Sequence, residues 1–348
     1  MNADQKTGVK SNFLSSGIFL FIVVLFLIAA DLLTGSIDLS IKDIKNHLFA
    51  ENDNSVAWIS LHEFRIPRLI TAVVSGIALS VSGLQMQTVF RNPLAGPYVL
   101  GISSGAGLGV ALLVLGFPGL FEFSVLGSDN NLFLILAAWI GAATILILIL
   151  ILSFRLRNVM SILILGIMLG SGISAIINIL QYFSQESALK AFVIWTMGSL
   201  GGVSSNQIPY LILGFLPGII LAFFIIKPSN AMLLGENYAR SLGVRILPYR
   251  IMVFTSTALL TGTVTAFCGP IGFIGIAVPH IARMITKTSR FGVLFFFSIL
   301  LGTAIMLLSD ILSQLPGSEM ILPLNAITSL IGIPIVIWIV LGRKRIYS

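Results

Sequence analysis

The chain alternates long apolar runs with short polar breaks, and most of the runs are longer than a soluble core needs. Crossing a hydrocarbon core of about 30 Å takes roughly 20 helical residues. Runs near 13–34, 66–90, 97–116, 132–154 and 158–181 fit that length, and so do 206–226, 248–268, 271–289, 292–313 and 322–341. The stretch 248–289 reads almost continuously and is divided only at Gly269-Pro270-Ile271-Gly272, where a helix would break. The pattern predicts an all-α, polytopic membrane protein with about ten transmembrane helices. It forms one transmembrane domain over 1–348, with a short tail at 1–12 and a long polar connection at 227–250.

Composition agrees with this reading, because 57% of the 348 residues are hydrophobic and 9% are charged, against about 25% charged in soluble globular proteins. Lys and Arg concentrate in loops left on the cytoplasmic side. With the N-terminus inside and alternate segments counted, 15 of the 20 basic residues fall inside, whereas Lys42, Lys45, Arg65, Arg68 and Lys190 fall outside. Of the 13 acidic residues only Asp4 and Glu236 lie inside. The net charge of +7 therefore reflects topology and not a nucleic-acid partner. Both termini and the 227–250 connection are expected in the cytoplasm, with the chain in a bacterial inner membrane. The first apolar run is too long for a cleavable signal and lacks a small-residue cleavage site, so it reads as the first span.

The residues exclude several chemistries. The one cysteine, Cys268, reads as a buried small hydrophobe, and no His, Cys, Asp or Glu cluster has metal-ligand spacing. No catalytic residues are assigned, since no pair of catalytic groups faces one another on neighbouring helices, so the chain reads as a transport protein and not an enzyme. Ion-driven carriers place ionisable groups at mid-membrane, and none is evident here, which disfavours an ion-gradient-driven secondary transporter as the alternative. There is no GxxxxGK[ST] loop either, so energy must come from a partner. In 227–250, Leu233, Leu234, Tyr238, Ala239 and Leu242 can share one face of a short amphipathic helix. That face suits a cleft in a cytoplasmic motor, and equally a place on the bilayer surface.

Two spans carry polar stripes. Ala72, Gly76, Ser80, Gly83 and Gln87 advance by three or four residues along the second, and Gly166, Gly170, Ser174, Asn178 and Gln181 do so along the fifth. Small residues at this spacing serve close helix packing. Gln87, Asn178 and Gln181 also need hydrogen-bond partners that lipid cannot offer, and a wettable pathway would supply them. Between the second and third spans, RNPLAGP (91–97) forces a non-helical turn, in which Arg91, Asn92 and Pro93 read as structural. His280 reads as a hydrogen-bonded packing residue beside a kink at Pro279.

Residues 65–107, RIPRLITAVVSGIALSVSGLQMQTVFRNPLAGPYVLGISSGAG, resemble the FecCD family of permeases, importers of iron-siderophore, haem and cobalamin. The likeness recurs at WTMGSLGGV (195–203), GENYARSLGV (235–244), GPIGFIGIAVPHIAR (269–283) and TSLIGIP (328–334). It implies the cobalamin-permease-like type II importer fold, with a second permease subunit as a homo- or heterodimer. It also implies two cytoplasmic ATPase subunits that carry MgATP, no cofactor in this chain, and an extracytoplasmic substrate-binding protein. By resemblance, Gly76, Ser80, Gly83, Gln87, Gly170, Ser174 and Asn178 line the pathway. Gly235, Glu236, Ala239, Arg240, Leu242 and Gly243 would meet the ATPase. Arg65 and Arg68, three residues apart, are expected to form an outward positive fork. It would receive carboxylates of the binding protein or anchor in lipid headgroups. The family's third docking arginine, near the outer end of the ninth span, is Gln314 here.

Overall fold

The computed structural model describes residues 3–35, 37, 40–47, 55–116, 131–156, 158–314 and 321–342. Arg157 and the basic group Arg343, Lys344 and Arg345, which weigh in the expected orientation, lie outside the described residues, as do the side chains of 1–12. The described chain is helical, without strands. It begins with α1 (Ala3–Leu33), α2 (Ile41–His47) and the single turn α3 (Val56–Ile59), which runs through a widened π-type segment, Ser60–Arg65, into α4 (Ile66–Phe90). A 3-10 turn at Pro97–Leu100 leads to α5 (Ile102–Val114), followed by α6 (Asn131–Arg155), α7 (Val159–Phe183) and α8 (Glu186–Thr196). Then come α9 (Ile208–Phe224), the short α10 (Ile226–Met232) and α11 (Glu236–Ser241), α12 (Ile246–Cys268), α13 (Ile274–Thr286), α14 (Phe291–Ser313) and α15 (Leu324–Gly342).

All ten expected spans have a helical counterpart. Among the described residues seven helices are long and apolar enough to cross a membrane, whereas those at 102–114 and 274–286 are shorter. At 1.5 Å per residue a helix of 13 residues covers only about 20 Å, so the remainder of the crossing is irregular backbone. Such backbone survives at membrane depth only where protein satisfies it, and the breaks in this fold satisfy one another. Gly272 N–H donates to Asn325 Oδ1 at 3.0 Å, Asn325 N–H to the Met197 carbonyl at 3.1 Å, and Ser199 N–H to the Cys268 carbonyl at 2.9 Å. The Tyr98 hydroxyl donates to the Ile271 carbonyl and accepts from Ile271 N–H. The expected break at 269–272 is thus a junction held by three other segments.

Helix α4 runs through the interior, surrounded by α9, α12, α13 and α14. Glycine lets two neighbours approach it to backbone contact. A Cβ on Gly83 would stand 1.7 Å from the Gly275 carbonyl oxygen, and one on Gly76 would stand 2.4 Å from that of Gly302. The two buried glutamines of α4 are satisfied by these neighbours. Gln85 donates to Ser256 Oγ at 3.0 Å and accepts from Thr257 Oγ1 at 2.9 Å, and Ser256 in turn donates to the Gly218 carbonyl on α9.

The close approach gives a direct test. Gly83→Ala is expected to destabilise the folded chain by about 3 kcal/mol or more, at the upper end for overpacking. Gly172→Ala, on α7 with nothing within 4 Å of its Cβ position, should leave it unchanged. Melting temperatures in detergent, read from size-exclusion recovery, check the pair; equal stability would show that α4 can shift away from α13.

Candidate translocation groove, connecting turn and charge cluster

The polar stripe of α7 opens onto a groove. Gly166, Gly170, Ser174 and Asn178 recur every four residues and so share one face. Opposite them stand Tyr98 and Val99 of the 3-10 turn and Ser104 of α5, around a cavity of about 490 Å³. A second cavity of about 300 Å³ continues past Ser104, Ser174 and Asn178 to Gln181, Trp195, Thr196 and Pro270. None of the lining residues carries a formal charge at neutral pH. Ser174 and Ser171 donate to carbonyls one turn back, Gly170 at 2.9 Å and Ile167 at 3.1 Å, so their hydroxyl oxygens present acceptors to the groove. Asn178 and Gln181 add amide groups that both donate and accept. The wall at Val99 is tight, because a Cβ on Gly166 would stand 2.4 Å from the Val99 carbonyl oxygen.

The stripe of α4 does something else, which corrects the expectation that Gly76, Ser80, Gly83 and Gln87 line the pathway. All four are buried against α13 and α14 of the same chain. Ser80 bonds within its own helix, to the Ile77 carbonyl at 3.1 Å. Gln87 donates to the Ile276 carbonyl at 3.2 Å and accepts from Arg283 Nη1 at 2.6 Å. Helix backbone and one guanidinium therefore meet the polar demand that water would otherwise have met. Sequence spacing is the same in the two stripes, and only the tertiary neighbour differs.

At the end of α4 the chain turns through Arg91, a non-glycine residue with left-handed φ 47° and ψ 33°. Asn92 Oδ1 accepts from Leu94 N–H at 3.0 Å, closing an Asx turn, and the Pro93 carbonyl lies 3.0 Å from His280 Nε2. The guanidinium of Arg91 donates to the Met232 carbonyl, the open end of α10, at 3.3 Å. Residues 227–250 are not one amphipathic helix. Gly235, at φ 120° and ψ 151°, separates α10 from α11, a conformation that is essentially open only to glycine. Ala239 of the expected face is buried, whereas Leu233, Leu234, Tyr238 and Leu242 remain exposed. Arg250 holds the first turn of α11 through Glu236 Oε1 at 2.5 Å.

At the other end of α4, Arg65 and Arg68 do not make the expected open fork. Arg65 is buried and donates to the carbonyls of Leu32, at 2.6 Å, and Ile37. Arg68 grips Asp310 of α14, with Nε 2.8 Å from Oδ2 and Nη2 2.8 Å from Oδ1, and reaches Ser313 Oγ at 3.1 Å. Gln314 donates to Asp310 Oδ2 at 3.1 Å. Asp310 is only 1% exposed, and a carboxylate so buried draws in the nearest guanidinium.

The family model described as the FecCD transport family matches residues 21–342. The chain belongs to the FecCD transport family. Among relatives of this FecCD chain, the vitamin B12 import system permease protein BtuC of Escherichia coli O9:H4 (strain HS) is 34% identical over 283 residues, covering 81% of this chain and 84% of that one. A chain of Methanocaldococcus jannaschii, named as an ABC transporter permease protein, is 32% identical over 337 residues, covering 94% and 95%. A solved structure described as an inward-facing conformation of a transporter of the metal-chelate ABC type superposes with a TM-score of 0.81 at 26% identity, covering 94% of this chain and 99% of that one.

The FecCD chain is thus a multi-span permease of an ABC importer, a transport subunit with the BtuC-like fold. Sequence reading found its α7 stripe but not the opposing Tyr98, Val99 and Ser104, nor Asp310 as the partner of Arg68. Asp310→Ala, which leaves the Arg68 guanidinium without its carboxylate, should cost about 3 kcal/mol or more. An Arg68→Met, Asp310→Leu double variant should recover most of that loss. Melting curves of the purified permease in detergent test this; a double variant no more stable than Asp310→Ala would show that the pair is not a closed unit.

Proposed function

We propose that this permease carries a metal ion wrapped in an organic ligand, an iron-siderophore complex or haem or cobalamin, into the cytoplasm. The observation that carries the reading is the uncharged groove between α7 and the 97–104 segment. A bulky chelate is passed along by weak, distributed contacts to hydroxyl, amide and aromatic groups, and no side chain there binds a bare ion. Relatives named for vitamin B12 import and a structural neighbour of metal-chelate type share that cargo chemistry.

In this reading two permease copies, or this chain and a second permease, face each other across the groove. Two cytoplasmic ATPase subunits carry the MgATP, and a binding protein delivers the chelate from outside. The motor-facing surface is 227–250, with Gly235, Glu236, Ala239, Arg240, Leu242 and Gly243 at its centre and Leu234, Tyr238 and Leu242 exposed for contact. Docking of the binding protein is assigned to the Arg65 and Arg68 end of α4. There the Nη1 edge of Arg68 faces Gly201, where a Cβ would stand 3.6 Å away, while Asp310 fixes the opposite edge. The termini and 227–250 lie in the cytoplasm, and the Arg68 end lies outside.

The test is uptake of radiolabelled chelate by proteoliposomes holding the permease with its ATPase and binding protein, compared across iron-siderophore, haem and cobalamin. One chelate should stimulate hydrolysis and accumulate. Asn178→Asp places a carboxylate in the groove and should slow uptake of an anionic chelate by about tenfold, equivalent to ~1.4 kcal/mol, while basal hydrolysis stays unchanged. Transport by the permease alone along an ion gradient, without the ATPase, would instead mark a secondary carrier.

A further inference from the structure

The guanidinium of Arg91 lies beside the end of α10. It stands at the junction of two parts otherwise described separately. On one side it bonds the Met232 carbonyl, and a Cβ on Gly235 would lie 3.7 Å from its Nη2. This places it against the turn between α10 and α11. On the other side, its backbone opens the 91–100 segment, which is stiff along its length. The left-handed φ of Arg91, the Asx turn of Asn92, the Ala95 N–H donated to the Asn92 carbonyl at 3.0 Å, and two prolines leave few rotations free. The far end of the segment is Tyr98 and Val99, the wall of the groove facing α7.

We propose that Arg91 is a positioning residue that ties the motor-facing segment to the groove wall. Movement of α10 and α11 then reaches Tyr98 and Val99 through the 91–100 strut. The inference rests on reading 227–250 as the surface that meets the ATPase. The chemistry suits a tie. The Met232 carbonyl already accepts from Gly235 N–H at 3.2 Å, and the guanidinium adds a charged donor, the stronger kind of hydrogen bond, at the same turn. Arg283 donates to Gln87 and so fastens this end of α4 to α13, and the contact of His280 with the Pro93 carbonyl pins the start of the strut to the same helix. The strut therefore pivots against a fixed base and does not drag the whole helix.

Arg91→Ala and Arg91→Lys in the complete importer, with its ATPase and binding protein in liposomes, test the tie by the ratio of chelate imported to ATP hydrolysed. Arg91→Ala should lower uptake about tenfold while hydrolysis changes by less than about twofold, a coupling loss within the usual range. Arg91→Lys, which keeps one charged donor within reach of the Met232 carbonyl, should recover most of the uptake. Wild-type uptake in Arg91→Ala overturns the proposal, and so does an equal fall of uptake and hydrolysis, which marks a merely structural role. Loss of ATPase co-purification in Arg91→Ala alone would make Arg91 part of the docking surface and overturn the strut. If the unaltered permease with an intact 227–250 segment retained no ATPase, both this inference and the motor-facing reading would fall together.

Discussion

Hydrocarbon cannot accept or donate a hydrogen bond, and the whole arrangement follows from that. Each polar atom carried into the membrane must find its partner in protein. The fold meets this by sinking a long helix rich in polar side chains, α4, among four others. Gln85, Gln87, Ser75 and Thr71 are thereby removed from lipid, and the glycines at 76 and 83 bring the neighbouring backbones close. The less polar helices remain outside, where α6 and α9 present Phe133, Ile140, Leu213 and Phe224 outward. The same constraint explains the short helices α5 and α13 and the irregular entry to α15. Their irregular approaches at 97–101, 269–273 and 321–323 persist because Asn325, Tyr98 and the Met197–Gly198 carbonyls supply what a continuous helix would have supplied.

Once α4 is interior, the division of labour among the rest is nearly forced. The groove has to form on a helix left partly uncovered, and α7 has few buried side chains. Ser171 and Ser174 tie their hydroxyls back to carbonyls of α7, which leaves the amides of Asn178 and Gln181 as the donors that a wetted stripe presents. The two ends of α4 then act as anchorage. At one, Arg68 and Asp310 bind it to α14; at the other, Arg91, Gln87 and the Pro93 carbonyl bind it to α10 and α13.

The long apolar runs were legible because length and hydrophobicity suffice to mark a span, and the ten expected segments all became helices. Helix α8 was not legible. Its sequence, ESALKAFVIWT, is too short to span and opens with polar residues, so nothing in a hydropathy pattern separates it from a loop. The two small-residue stripes looked alike for a physical reason. A spacing of four residues states that side chains share a face, not what that face meets. The Arg68–Asp310 pair joins residues 242 apart in the chain, and the Arg91–Met232 bond joins residues 141 apart. Neither has a local signature. The motif-bearing turn at 91–97 was the easiest part of the site to read, since prolines, Gly96 and Asn92 dictate local backbone by themselves. The break at Gly235 was missed because apolar periodicity continues across a residue whose backbone does not.

Helix α11 is bounded by Gly235 at φ 120° and by Gly243 at φ 85°. The seven residues between two such joints form a hinged tile: rotating the joints would tilt the tile without stretching any bond inside it. The link from Glu236 to Arg250 restrains one edge, which leaves the edge bearing Leu242 with the greater sweep. Under the proposed motor-facing role, a surface pressing there would gain leverage, and the amplitude of its stroke would be set by backbone geometry rather than by the strength of the grip.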